Sequence, residues 1–331
     1  MSDWTFTTAD ALTAQTWAKR WWIEAKTETY FYSNGLVGPN EDQNVIVEFS
    51  DLEREQGYQH TYGQVRELSG SGVTGDGTME GNEEEPNVYD DAITLNQKRN
   101  AIRTAGKLSD QYPSDKGVRK WANVLLKRWM GSTIDQDLFT DLTTSPTKAI
   151  YGGDATGTSS IENGDFMTLQ LISKCVAYGR KATPKIMPVK VTGGRGKSYN
   201  VIVLSHDQAF DLSERDAAWA QAQREAMKRG PDNPIFHSAL GVHKDTIIHE
   251  HSRIALATTW GTGAINGATA LFMGAGAGAI AYAKRKIWNE KTFDYGNKVG
   301  FCIGAIYGTS KTVFNSSDNA LVAVRTNRTN N

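Results

Sequence analysis

Cysteine is nearly absent: Cys175 and Cys302 are the two in the chain, far apart and each set in an apolar run. That usage excludes a disulfide-framed secreted domain and predicts two buried thiols in a reducing compartment. A charge excess of either sign is lacking too. Thirty-six Lys+Arg stand against 37 Asp+Glu, a formal net charge of −1, which argues against a dedicated nucleic-acid binder. The opening residues, Met1-Ser2-Asp3-Trp4, have neither the basic lead nor the apolar stretch of a secretory signal. Long strongly apolar runs are missing as well. No charged residue occurs between Arg253 and Lys284, yet the Ala264–Ala283 stretch is mostly Ala and Gly. A buried strand, a glycine turn and a short helix fit it better than a membrane span. What remains is a chain of 331 residues, enough for about two ordinary domains and for a core that needs no metal or disulfide.

Aromatic residues crowd the beginning. Eight of the 32 in the chain fall in the first 32 residues: Trp4, Phe6, Trp17, Trp21, Trp22, Tyr30, Phe31 and Tyr32. Trp17, Trp21 and Ala25 recur at helical spacing, with Trp22 beside them. Such a segment either packs on its own core or is an arm covered by another subunit, because so much Trp cannot stay exposed.

Charge is balanced overall but segregated locally. The span Glu67–Gln97 holds eight acidic residues, among them Asp76, Glu80, Glu83, Glu84 and Glu85, and no Lys or Arg. Its glycines predict a long excursion, two strands around a tip. The sign then reverses: Lys98–Arg128 holds nine basic residues, including Lys98, Arg99, Arg103, Lys116, Arg119 and Lys120, against Asp110 and Asp115. Val118, Trp121, Leu125 and Trp129 recur at three- and four-residue spacing, with Ala122, Leu126 and Met130 alongside. This predicts an amphipathic helix from near Pro113; Ile134, Leu138 and Leu142 extend the stripe past Gly131, so one long helix or two consecutive ones fill Asp115–Leu142. A second helix is predicted over Phe166–Tyr178, strands at Ile186–Val191 and Tyr199–Leu204, and a helix from the capping box Ser205/Gln208 through Trp219 to Gly230. From Lys298 to Val324 short strands alternate with turns at Gly308 and Asn315–Asn319. Strands and helices mix without βαβ repetition, an α+β pattern.

No catalytic constellation emerges. Gly193-Gly194-Arg195-Gly196-Lys197-Ser198 has the end of a phosphate-binding loop, but Val191 stands where the first glycine is needed and a strand follows, so a hairpin turn is expected. His237, His243, His249 and His251 cluster, with His249 and His251 two apart on one face of a strand. Three of these could ligate a metal in a hydrolase, but no HExxH helix accompanies them. No carboxylate pair is framed by apolar residues. No metal and no cofactor is expected.

Five ordered segments resemble tailed-bacteriophage major capsid proteins of the coliphage N-four branch: Leu68–Glu84, Asn96–Arg103, Asn233–Gly241, Ala270–Ala277 and Gly308–Phe314. The resemblance implies the Hong Kong 97-type coat fold. Mapped here, that gives an N-terminal arm over residues 1–50, an E-loop over 51–104 and a peripheral domain with a spine helix over 105–164. An axial domain covers 165–291, and the chain returns to the peripheral domain over 292–331. It implies a structural protein, not an enzyme, whose hexamers and pentamers form an icosahedral shell in the virion, assembled in the host cytoplasm. Expected partners are a separate scaffolding protein, a portal, decoration proteins and non-specifically contacted double-stranded DNA, with no membrane. The E-loop tip has no lysine, so no covalent cross-linking is expected. Intersubunit contacts are expected from Trp17, Trp21 and Trp22 in the arm, and from the acidic tip docking on the basic region of an adjacent subunit. An encapsulin-type nanocompartment is the alternative within the fold, and the metal-dependent hydrolase the alternative outside it.

Overall fold

The computed structural model describes residues 22, 25–26, 28–53, 57–65, 68, 70–85, 88–107, 117–190, 198–219, 221, 240–261 and 263–329. Two sheets organise them. The first has the order β1 (Val37–Gly38), β2 (Ile46–Phe49), β13 (Gly278–Phe293), β14 (Lys298–Lys311), β5 (Asn96–Arg103). Its spine is the antiparallel β13–β14 ribbon, running from Gly278↔Lys311 to Phe293↔Lys298 with register shifts between Tyr282 and Ile287. A separate hairpin, β3 (Gln59–Val65) with β4 (Val88–Thr94), leaves the edge of this sheet.

The second sheet runs β6 (Ala149–Tyr151), β17 (Leu321–Asn327), β12 (Ile265–Met273), β8 (Ser198–Leu204), β10 (Thr246–Glu250), β9 (Gly241–His243). β11 (Ala255–Trp260) pairs with β12, and β7 (Val189–Lys190) pairs antiparallel with β8. That last pairing is what a hairpin around 191–197 requires; the Gly193–Lys197 motif itself lies outside the described residues. A small hairpin, β15 (Val313–Phe314) with β16 (Ser317–Asp318), turns through Asn315 and Ser316 at φ of 50° and 56°, as expected there.

Four helices are described: α1 (Tyr30–Ser33), α2 (Gly117–Thr143), α3 (Leu169–Lys181) and α4 (His206–Arg215). In α3 the expected apolar side, Leu169, Ile172, Cys175 and Val176, is buried. α4 starts on the expected capping box: Gln208 N donates to Ser205 Oγ, and Ser205 N to Gln208 Oε1, both at 3.1 Å. It breaks at Asp216, helix resumes over residues 217–219, and the expected stop at Gly230 lies outside the described residues. α2 is about 40 Å long at 1.5 Å per residue. It buries Ala122, Leu126, Met130, Ile134, Leu138 and Leu142 in a core shared by both sheets.

Three expectations fail for tertiary reasons. Residues after Gly276 form no helix but the 16-residue strand β13, because Ala279 and Ala281 fit closely beneath Ile93 from β4. Gly308 is no turn: it lies inside β14, where a Cβ would sit 2.3 Å from the Thr94 carbonyl oxygen. Cys302 is half-buried rather than buried. β13 joins the first sheet from Gly278 onward, while β17 returns the C-terminus to the second.

Candidate functional site

The β3–β4 hairpin is a finger without a core of its own. Residues 70–85 at its tip are exposed throughout, including Asp76, Glu80, Glu83, Glu84 and Glu85. The tip is shaped locally: Gly81 N donates to Glu83 Oε2 (2.7 Å) and Gly70 N to Glu84 Oε2 (2.6 Å). Two of the glutamates therefore order the loop as well as charging it. Large apolar groups stand among the acids, with Leu68 67% and Met79 55% exposed.

The basic segment is not one patch. Lys98 on β5 points to α2, where Nζ lies 2.6 Å from both Asp137 oxygens, and Tyr307 donates to the same carboxylate (2.6 Å). Arg99 and Arg103 alternate with Lys98 along the strand and so occupy the opposite face. Both are exposed, and the Arg103 guanidinium lies 5.7 Å from the Phe293 ring centroid. Lys120 is exposed on α2; Lys116 and the Arg119 side chain lie outside the described residues. Lys98 is thus ion-paired within its own chain, while Arg99, Arg103 and Lys120 are exposed.

α2 supplies what the sequence reading missed. Its expected apolar stripe through Trp121 and Leu125 faces out: Trp121 is 56% and Leu125 52% exposed, with Val124 beside them. The inward stripe is the neighbouring one, Ala122, Leu126 and Met130. The spacing signal was present for both, and only packing distinguishes them. At Gly131 a Cβ would lie 3.0 Å from Ala25 O, so the arm crosses α2 where a side chain is missing.

The arm is fastened to the body. Trp22, expected between subunits, is buried in its own chain, edge-on to Tyr282 at 5.4 Å. Trp17 and Trp21 lie outside the described residues. Glu48 on β2 accepts from Lys26 (3.3 Å), Tyr32 (2.7 Å) and Arg285 (2.5 Å). On the other side Asp135 of α2 takes the place of a missing cap at Thr29: Tyr30 N donates to Asp135 Oδ2 (2.7 Å). Burial pushes the Asp135 carboxyl up to about 6, against the opposing pull of those backbone donors and of Arg253, 3.7 Å away.

That shift has a sign. A folded-state value above the unfolded one means that proton uptake stabilises the fold, fully below about pH 4 and not at all above about pH 6. Two units correspond to about 3 kcal/mol. The stability of the unassembled chain relative to Asp135→Asn is therefore expected to fall by that order between pH 4 and pH 7 in urea unfolding. A difference independent of pH would contradict it.

The histidines are used locally. His243 Nε2 lies 2.9 Å from Ser173 Oγ, and the His251 ring lies 4.6 Å from both Tyr30 and Phe139. His251 stands just past the end of β10, its basicity pushed down to about 4 by burial and by Arg253 and His206. His249 is buried and likewise lowered by burial. Among the described residues no group of three His, Cys, Asp or Glu is placed to hold a metal ion; His237 lies outside them. Burial raises the Cys175 thiol to about 12, so it is no nucleophile. No described helix is long and apolar enough to cross a membrane.

Comparison with known proteins agrees with this anatomy. The family model described as phage capsid protein matches residues 5–149 and 142–327. The major capsid protein of Pseudomonas phage KPP25 is 26% identical over 344 residues, covering 91% of this chain and 89% of that protein. The capsid of Ralstonia phage GP4 superposes with a TM-score of 0.82 at 26% identity, covering 99% of this chain and 96% of that one. The cyanophage Pam1 capsid does so at 0.75 and 19% identity, covering 90% and 92%, a likeness of fold. These are Hong Kong 97-type coat proteins, and neither the nanocompartment nor the hydrolase alternative draws support from them. The N-four branch is not singled out by these relatives. Matched along nearly its whole length, the chain belongs to the phage capsid protein family, a structural rather than an enzymatic one.

Proposed function

We propose that the chain builds an icosahedral phage head from hexamers and pentamers, enclosing double-stranded DNA in the virion, and that the hairpin and the outer face of α2 are its intersubunit contacts. The observation that carries this is the pairing of an exposed acidic, apolar finger with an exposed apolar helix face that carries Lys120 and Arg128. A strand advances about 3.3 Å per residue, so a finger of this length reaches a neighbour more readily than its own helix. Assembly in the host cytoplasm on a separate scaffolding protein, with a portal and decoration proteins, belongs to the same reading. So does the division into arm, E-loop, peripheral domain and axial domain, with β13 and β14 assigned to the peripheral sheet. The five sequence segments support placement in the N-four branch.

Expression of the chain with its scaffold, followed by electron microscopy, tests the reading. Uniform shells that package DNA are expected; monodisperse monomer, or shells filled with enzyme, would contradict it. Charge reversal tests the contact. Each exposed ion pair contributes about 0–1 kcal/mol and is screened by salt. Repetition over a shell makes the sum matter. Glu83, Glu84 and Glu85 to Lys together are expected to cut particle yield several-fold, with partial recovery on reversing Arg119 and Lys120. Unchanged yield at low salt would reject docking by charge.

A further inference from the structure

The finger must leave the body in a fixed direction if it is to find the same spot on every neighbour, and its root is built in an unusual way. Residues 88–103 form one extended run that changes partner at Leu95. Up to Thr94 it pairs with β3, and from Asn96 it pairs with β14. At the change Leu95 N donates to Tyr58 O (2.8 Å). There β14 presses against the run with no side chain between: a Cβ on Gly308 would lie 2.3 Å from Thr94 O and 2.7 Å from Ile93 Cγ2. Ile93 is fully buried against Ala279 and Ala281.

A second set of contacts holds the other strand. Asp91 Oδ2 accepts from Tyr62 OH of β3 (3.0 Å) and from Val313 N of β15 (3.0 Å), while its Oδ1 accepts from Ala92 N (2.8 Å). One carboxylate thus ties both hairpin strands to the C-terminal turn. Rings complete the seat: Tyr62 lies 5.1 Å from Phe49 and 5.9 Å from Phe314, and His60 lies 4.4 Å from Phe49. On one side a cleft of about 100 Å³ opens between Tyr62, Gln64, Pro184 and Met187. The root has room to lean that way, and the Asp91 bonds, with the longer Tyr62 OH to Thr312 Oγ1 contact (3.4 Å), oppose it. Beyond the root the strands end in exposed Val65 and Val88.

We propose that Asp91, Tyr62 and Gly308 form a socket that aims the hairpin, and so determines which part of a neighbouring copy it meets. The assembly consequence rests on the reading of the hairpin as an intersubunit finger; the socket itself does not. Leverage makes small changes count. A seven-residue strand spans about 23 Å, so a 10° change at the root moves its end by about 4 Å and the tip by more.

The test separates the two. In unassembled protein carrying Cys302→Ser, spin labels at Met79→Cys on the tip and Tyr178→Cys on α3 report the aim by pulsed electron resonance. A narrow distance distribution is expected for the parent. Asp91→Ala and Gly308→Ala should shift or broaden it by at least about 4 Å. Asp91→Asn, which keeps one oxygen acceptor, should fall between, and it decides the matter if either alanine variant fails to fold. Distributions superimposable on the parent would overturn the socket. Shells of the unlabelled variants are then compared by electron microscopy. Shifted distances with normal shells would refute the finger's role in assembly and leave the socket standing; shifted distances with few or misshapen shells support both.

Discussion

Alanine at Glu48 is expected to destabilise the unassembled chain by about 3 kcal/mol. The carboxylate sits between Lys26 and Arg285 and accepts from Tyr32, whose hydroxyl is in turn 2.8 Å from Tyr282 OH. Among the described residues, removing it leaves Arg285 with Glu53 and Lys26 with no carboxylate, in a site where the Arg285 side chain is 17% exposed. Breaking a buried pair costs about 3–5 kcal/mol, because the surviving charge stays desolvated. The partial exposure of Lys26 argues for the low end. The arm should suffer first, since Lys26 and Tyr32 belong to it. Burial pushes the Glu48 carboxyl up, but Tyr32, Lys26 and Arg285 together hold it below its ordinary 4.5. Its contribution is therefore present above about pH 4.5 and lost as pH falls through the depressed folded value. Asp135 runs the other way, so the two carboxylates flanking the arm can be told apart by pH alone. Urea unfolding measures both; a Glu48→Ala loss under 1 kcal/mol would contradict the clamp.

Trp121→Ala should do the opposite: spare the fold and abolish the shell. More than half of its surface is exposed in the single chain, and substitutions at such positions usually change stability by no more than about 0.5 kcal/mol. Across an interface a buried Trp is commonly worth about 2 kcal/mol or more, or roughly 30-fold in each association step. A closed shell repeats that step at every subunit, so the loss compounds. Normal melting with particle yield reduced at least tenfold is the expected outcome, read by sedimentation. Normal yield would remove α2 from the interface, and a collapsed melting temperature would make Trp121 a core residue.

What the sequence revealed follows the range of the forces concerned. The capping box at Ser205 and the Asn315–Asn319 turn depend on neighbours a few residues away, and these were legible. Of the finger's strands, β4 falls in the expected span, but β3 begins at Gln59, ahead of it. The face of α2 was not legible. Trp121/Leu125 and Ala122/Leu126 share one periodicity, and the choice between them is made by the arm crossing at Gly131 and by the sheets beneath. Gly308 resembles a turn residue until Thr94 is brought against it from more than 200 positions away. Trp22 and Lys98 were sorted by residue type as contact groups, yet Tyr282 and Asp137 claim them within the chain. Small residues in β13 suggested a helix because their packing partner, Ile93, is also distant. The finger and the opposed charges were readable as features, but their surroundings were not.

Electron cryomicroscopy of assembled shells tests the central claim most directly, by tracing residues 70–85 in density. The expected result is a closed shell in which each tip lies across α2 of an adjacent subunit, with Trp121 covered and acidic side chains beside Lys120. A shell whose tips project free into solvent, or which leaves Trp121 uncovered, would contradict it.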